Sequence, residues 1–241
     1  VMTILLSNDD GIDAPGLASL VHVLAPVYPV LVFAPAADCS GVGHSITIRR
    51  PVHIRELAPG AHGESRFAID GTPADAVKFA LKRHCATPPD LVVSGINAGP
   101  NVGVNVLYSG TIAAAFEAMI HGVSAVAVSA AAADPEAYDT AAHLARRVVE
   151  LALDLETSRH RRPGQPPFCL NLNVPAVPLD RVRGIRLTQH GTSGFDETFL
   201  AHGDPTDNRF VIDGELRISD PDDNFCAAAL AAGYASLTPM Q

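Results

Sequence analysis

The sequence predicts an α/β chain built on a doubly wound, mostly parallel sheet, with a β-rich extension at its C-terminal end. Three observations carry that expectation. Short apolar runs alternate with helical segments as far as Pro175, the pattern of repeated strand–helix units. Those runs are continuously apolar, as in Val30-Leu31-Val32-Phe33, which is how strands buried on both faces read. After Pro175 the runs shorten and polar loops separate them.

Ile4 to Leu6 reads as the first strand. Gly16 to Val27 reads as a helix entered through Asp13-Ala14-Pro15, with Pro tolerated in the first turn. Val30 to Phe33 is the second strand, and a loop from Ala36 to His44 follows it. Ile46 to Ile48 and Val52 to Ile54 read as short strands outside the main sheet. Thr72-Pro73-Ala74-Asp75 opens a helix to about Arg83, with Thr72 as N-cap and Asp75 as the acid of a capping box. Leu91 to Val93 is the third core strand, closed by Ser94-Gly95-Ile96-Asn97. A glycine-rich loop then leads from Ala98 to Gly110, and Thr111 to His121 is helical. Ser124 to Ser129 is a fourth strand, Tyr138 to Leu155 a helix, Ser158 to Pro167 a surface loop and Phe168 to Leu172 a fifth strand. Beyond Pro175, Gly184 to Gln189, Arg209 to Ile212 and Leu216 to Ile218 are strand-like, with Asp213-Gly214 as a hairpin turn. The whole of 1–241 reads as a single domain in which about 176–241 forms the extension, packed on the sheet or against a partner subunit.

Composition narrows the function. The chain has 241 residues, 47% hydrophobic and 18% charged, enough for a substantial core. Its formal charge of −9 makes it a poor binder of duplex nucleic acid, which needs a basic face. Small phosphorylated substrates stay open, because a metal and helix N-termini reverse the field locally. Cys39, Cys85, Cys169 and Cys226 are scattered and form no CxxC pair, as expected of free thiols in a reducing cytoplasm. No apolar stretch approaches the length of a membrane span, and Val1-Met2-Thr3 runs into a strand without a signal-peptide pattern.

Ser7-Asn8-Asp9-Asp10-Gly11 is the most informative segment. It sets two adjacent carboxylates at the end of a buried strand, where open α/β sheets bind ligands. Like charges side by side require neutralisation, and a divalent cation with oxygen ligands supplies it. Three loops are expected at this sheet edge, and Asp9, Asp10, Ser40 and Asn97 from them form an oxygen-rich shell for magnesium or manganese. The third loop ends at a helix start, so Ser109, Gly110 and Thr111 offer backbone N–H groups and two hydroxyls to an anion. Each feature also has a plainer use. Asp9 caps a turn and Asp10 is solvated; Asn97 satisfies strand-end backbone; Ser109 or Thr111 is a helix cap. Asp75 reads as a helix-start residue, while His44, His190 and His202 receive no role.

Other phosphate-binding motifs fail on spacing. There is no G-x-G-x-x-G after a strand, no Walker loop and no G-x-S-x-G elbow. Receiver domains place an aspartate at the end of the third strand, where this chain has Ser94-Gly95-Ile96-Asn97. Haloacid-dehalogenase-type phosphatases use D-x-D after strand one, whereas these acids are adjacent.

Taken together, the blocks closely resemble the SurE family of survival-protein nucleotidases. The resemblance rests on Ser7 to Ile12 with Ala14 and Gly16, Ala34-Pro35 with Ser40-Gly41, and Gly71 to Asp75. It continues through Pro89 to Asn101, Tyr108-Ser109-Gly110-Thr111, Asn171 to Pro175, Gly233-Tyr234 and Leu237-Thr238-Pro239. It implies a Rossmann-like core and a divalent-metal-dependent phosphatase of nucleoside 5′- and often 3′-monophosphates, acting in some members on short polyphosphate. Asp9, Asp10, Ser40 and Asn97 then correspond to metal ligands, and Asn101 with Ser109, Gly110 and Thr111 to the phosphate side. Asp9, Asp10 and Asn101 are the expected catalytic residues. The resemblance also implies a homodimer or homotetramer with the extension between subunits. The chain departs from the family at Asn105, where an acid is usual. A non-catalytic nucleotide or metal sensor, and a metal phosphatase of non-nucleotide esters, are the competing readings.

Overall fold

The computed structural model describes residues 2–157, 165–204 and 208–240. Its main sheet has nine strands, and its centre is parallel. From β1 (Ile4–Ser7), the sheet runs one way through β2 (Val30–Pro35) and β4 (Ser65–Ile69) to β3 (Ile54–Leu57) at the edge. The other way it runs through β5 (Leu91–Ala98), β6 (Ala125–Ala130) and β7 (Cys169–Val174). Strands β4, β2, β1, β5, β6 and β7 are mutually parallel, and β3 pairs antiparallel with β4. This is the mixed α/β architecture with a large, mostly parallel sheet that the sequence predicts.

Alternation along the strands divides the core into two layers. Ile4, Leu6 and Val93 face α1 (Pro15–Leu24) and α4 (Pro135–Thr157), whose Leu17, Leu20, Leu144 and Val148 cover them. Leu5, Phe33 and Val92 face α2 (Pro73–Phe79) and α3 (Gly110–Ile120). Gly16 lets α1 approach the sheet closely: a Cβ there would lie 2.1 Å from the Ile96 carbonyl oxygen. The β5–β6 register shifts between Ser94 and Asn97, which sets Asn97 at the sheet's carboxyl edge opposite Ser129.

Several boundaries depart from the sequence reading. Helix α1 stops at Leu24, two residues before Pro26. Helix α2 is α-helical only to Phe79 and continues as one wider turn, Ala80–His84. Ile46 to Ile48 forms no strand. Ile54–Leu57 and Ser65–Ile69 instead join the main sheet as its edge, where Arg55, Glu56 and Arg66 dilute the apolar signal. Of the loop expected from Ser158 to Pro167, residues 158–164 lie outside the described residues.

The extension is only partly separate from the sheet. After β8 (Ile185–Leu187), strands β9 (Gly194–Ala201) and β10 (Phe210–Arg217) form a two-stranded antiparallel ribbon. Asp213-Gly214 is not its turn: Gly214 sits mid-strand opposite Glu197, and the reversal falls between Ala201 and Phe210. Close approach explains the glycine, since a Cβ there would be 2.7 Å from the Asp196 carbonyl oxygen. After α5 (Cys226–Ala231), β11 (Ala235–Met240) re-enters the main sheet between β7 and β8, antiparallel to β7. That strand was not anticipated. No helix of the described residues is long and apolar enough to cross a membrane.

Candidate active site

The carboxyl ends of β1 and β5 and the start of α3 meet at one place. Beyond β1, the Asn8 side chain donates to the Gly11 carbonyl at 2.8 Å, and the Ile12 amide donates to Pro35. Gly11 takes φ +106, which favours glycine and makes the bend possible. Arg66 secures the far side by donating to the Ile12 carbonyl and pairing with Asp13 at 2.8 Å.

Asp9 is 3% exposed and faces the start of α3. The Thr111 hydroxyl donates to Asp9 Oδ1 at 2.6 Å. Glycine at 110 lets the helix start approach the acid, since a Cβ there would lie 2.7 Å from that of Asp9. Burial pushes the Asp9 carboxyl above its ordinary value, against the hydroxyl and amide of Thr111 that favour its charge. Burial, with the adjacent Asp9 charge, pushes Asp10 up to about 6. The Ala98 amide donates to Asp10 at 3.3 Å and links it to β5. Asp38 lies near enough for its charge to raise both groups.

Among the described residues no Lys, Arg or His forms an ion pair with Asp9, Asp10 or Asp38. Among the described residues, Ser7 Oγ and Asn8 Oδ1, next to the acids in the chain, and Ser94 Oγ in β5 are buried without a hydrogen-bond partner. Uncompensated carboxylates and unsatisfied polar atoms fit a bound cation with its water, since buried polar groups otherwise find partners. The donor set is mixed, for no three His, Cys, Asp or Glu side chains among the described residues converge to hold a metal. Asn97 follows at the end of β5. Its amide donates to the Gly99 carbonyl at 2.7 Å, and no donor among the described residues reaches its side-chain oxygen. Ser40 is exposed, and its hydroxyl donates to Asp38 Oδ1 at 2.6 Å. The Cys39 amide donates to the Asp9 carbonyl at 2.8 Å, so the Ser40 loop is fastened beside the acids.

Ser109 is the N-cap of α3, its hydroxyl accepting from the Ile112 amide at 3.1 Å. The plainer reading of Ser109 is therefore real, and it leaves the first amides of α3 at the acid pair. Asn101 is buried, and its amide is already engaged by Ser129 Oγ at 2.9 Å and Thr111 Oγ1 at 3.4 Å. It thus orients the hydroxyl that holds Asp9. Its backbone is fixed in turn by Asn171 and Asn173, whose amides donate to its carbonyl while Asn173 Oδ1 accepts from its N–H. These asparagines and Ser129 were missed as site residues; the signal was two amides inside a strand of otherwise buried apolar residues. Thr111→Val removes the donor to Asp9 without removing bulk. A loss of about 10- to 100-fold in activity is expected, with Thr111→Ser near wild type, as phosphate-release kinetics would show.

His44 lies beside the site but turns to a buried carboxylate. Its Nε2 lies 2.9 Å from Glu117 Oε2, while Lys78 Nζ reaches Glu117 Oε1 at 2.6 Å and His121 Nε2 the same oxygen at 2.9 Å. Burial alone would push Glu117 up, but hydrogen bonds from Lys78 and His44 hold it below the ordinary carboxylate value. Asn105 serves the ribbon, its Oδ1 accepting from the Phe195 amide at 3.3 Å. His190 packs against Cys226 and Met240.

The fold and site define an α/β protein whose acid pair meets the start of a helix at the carboxyl edge of a parallel sheet. The family model "Survival protein SurE" matches residues 4–197, and the chain belongs to the SurE family. A protein named 5′-nucleotidase SurE from Heliobacterium modesticaldum is 38% identical over 243 residues, covering 99% of this chain and 86% of that protein. Its namesake from Syntrophobacter fumaroxidans is 37% identical over 241 residues, covering 99% and 93%. The crystal structure of the SurE protein from Aquifex aeolicus superposes with a TM-score of 0.81 at 32% identity, covering 99% of this chain and 93% of that one.

Proposed function

We propose that this chain is a divalent-metal-dependent phosphomonoesterase that hydrolyses nucleoside 5′-monophosphates to nucleoside and phosphate, with 3′-monophosphates and short polyphosphate as further substrates. The observation that carries the reading is the Asp9–Asp10 pair, Asp9 buried against the start of α3 and Asp10 half-buried beside it, with no cationic partner among the described residues. The names of the two nucleotidase relatives support the substrate class.

Asp9, Asp10, Ser40 and Asn97 would hold magnesium or manganese. When bound, the cation supplies Lewis-acid polarisation of the phosphoryl group and lowers the pKa of water. The chain's own groups do the rest. Amides at the start of α3 and the Ser109 and Thr111 segment receive the phosphate oxygens and stabilise charge as the ester bond breaks. The Asn101 amide bonds the Thr111 hydroxyl that holds Asp9, which supports a positioning role for it. Asp9 or Asp10, side by side at the end of β1, would orient an attacking water. The water oxygen forms the new bond to phosphorus as the ester P–O bond breaks, and the proton that the water gives up ends on the departing nucleoside oxygen.

The ribbon presents Phe195, Phe199, Leu200, Phe210, Val211 and Ile212 to the surface, which supports a homodimer or homotetramer. Four free thiols support a cytoplasmic location. The test is phosphate release from nucleoside monophosphates with magnesium or manganese and then with excess chelator. Release that chelation stops supports the reading; tight nucleotide binding without release would favour the sensor.

Gly110→Ala gives a second check on the cradle. Its new methyl would press on Asp9, so the variant is expected to stay folded and lose at least about tenfold in phosphate release. Wild-type rates would show that this contact relaxes at no cost.

A further inference from the structure

Every side chain assigned to the site so far is polar, yet one lip of it is apolar and exposed. The one-turn helix Gly103–Leu107 and Tyr108 lead into the Ser109 cap. Leu107 is 75% exposed, Tyr108 62% and Val104 45%, while Ser109 and Gly110 are buried. An exposed aromatic next to an anion cradle suits a substrate with one anionic end and one aromatic end. We infer that Tyr108, with Leu107 beside it, is the platform on which the substrate's nucleobase stacks. The inference rests on the nucleotidase reading and deepens it.

Distance supports this. One residue, Ser109, separates Tyr108 from Gly110, so their backbones lie within about 7 Å of one another. A ribose bridging phosphate and base spans a comparable length. The lip is also held in place. The Gly43 amide donates to the Tyr108 carbonyl at 2.9 Å, which joins the Ser40 loop to the Tyr108 turn. Gly43 takes φ +55, and a Cβ there would lie 3.2 Å from the Leu107 carbonyl oxygen. The next residue, His44, is tied to Glu117 on α3, and beyond it Ile46 and Ile48 are exposed as further apolar surface. A platform fixed before substrate arrives costs little ordering on binding.

The chemistry of the lip also sets its selectivity. Stacking on an aromatic face accepts every base, because every base has a π-face. Asn105, the amide-bearing residue of this turn, has its side-chain oxygen engaged by the Phe195 amide. The platform therefore separates nucleotides from bare sugar phosphates and discriminates weakly between purines and pyrimidines.

The experiment compares AMP, UMP and ribose 5-phosphate as substrates of the full chain, its Tyr108→Ala and its Tyr108→Phe variants. Tyr108→Ala is expected to raise KM for both nucleotides about 5- to 100-fold with kcat within about twofold. Ribose 5-phosphate kinetics should not change, and Tyr108→Phe should keep the wild-type KM because the ring face is what binds. Equal losses on all three substrates would overturn the inference, since Tyr108 would then only shape the cradle. Unchanged nucleotide KM in Tyr108→Ala would overturn it too. Failure of the nucleotidase reading looks different: the wild-type chain then releases phosphate from none of the three, or treats AMP and ribose 5-phosphate alike.

Discussion

Asp9→Asn is expected to remove metal-stimulated phosphate release by at least about a hundredfold while leaving the fold intact. The side chain keeps its size and can still accept from the Thr111 hydroxyl, so the packing around it survives. What it loses is the charge. In the native chain that charge sits beside Asp10, with no ion pair to a basic group among the described residues, and Asp10 feels it as an upward push on its own proton affinity. Removing one carboxylate therefore relieves repulsion in the metal-free protein and halves the pair's attraction for a divalent cation. Thermal unfolding reads both effects without any turnover. Magnesium or manganese should raise the midpoint of the wild-type chain, because a ligand that binds only the folded state stabilises it. The same salts should barely move the Asp9→Asn midpoint, and its metal-free midpoint should equal or exceed that of wild type. Wild-type phosphate release from the variant would sink the assignment of Asp9. A metal-induced shift of wild-type size would sink its role as a ligand.

Asp75→Ala should have the largest effect on stability. Its carboxylate accepts from the Thr47 amide at 2.9 Å, the Thr47 hydroxyl at 2.6 Å and the Thr72 amide at 3.0 Å, and Thr72 Oγ1 accepts from the Asp75 amide in return. The first pair ties down the segment after His44, and the second closes the capping box of α2. Losing a charged acceptor shared by three donors costs about 2–4 kcal/mol, or a fall of about 5–15 °C in the unfolding midpoint. Burial works against the charged form, but these hydrogen bonds outweigh it and hold the Asp75 carboxyl below its ordinary value of 3.8. The sign follows from linkage. The folded state holds this proton more weakly than the unfolded state does, so the contribution is full above the unfolded value and disappears as pH falls through the lower folded one. The gap between wild type and Asp75→Ala should accordingly be constant near neutrality and narrow below about pH 4. A gap that widened on acidification would show that Asp75 is not held as a carboxylate.

Asp75 also shows how far the sequence could be read. Thr72-Pro73-Ala74-Asp75 spells out a capping box by local spacing, and the box is there. That the same carboxylate reaches Thr47 was not legible, because the two are joined by the fold rather than by spacing. The same division runs through the site. Asp9, Asp10, Asn97 and the Ser109 to Thr111 turn stood out as candidates because each stands at the end of a clear apolar run or the start of a helix. Asn101 stood out by its place in the third loop, but its ties to Asn171 and Asn173 did not, since they join that loop to a strand some seventy residues away. Strand errors have a similar origin. Ser65–Ile69 carries too few apolar residues to stand out, and Asp213-Gly214 has the local chemistry of a turn but is held straight by the whole of β9. Local rules see a dipeptide, and the ladder of an eight-residue partner strand overrules it.

The late return of β11 to the main sheet bears on how the site comes into being. Leu237 and Thr238 pair with Leu172 and Asn171, and Ser236 pairs with Asn173, so the last strand flanks the asparagines that fix Asn101. Until it docks, β7 has a neighbour on one side only, and the link from Asn101 through Thr111 to Asp9 lacks its outer support. The acid pair lies near the start of the chain, yet its alignment waits on residues made more than two hundred positions later. Pairings that distant in sequence form slowly, because a long loop must close before they reward it. During synthesis the chain can therefore present its carboxylates early but remains an unfinished enzyme until β11 has been made and has docked on β7. Hydrolytic competence is in this sense a signature of completed folding.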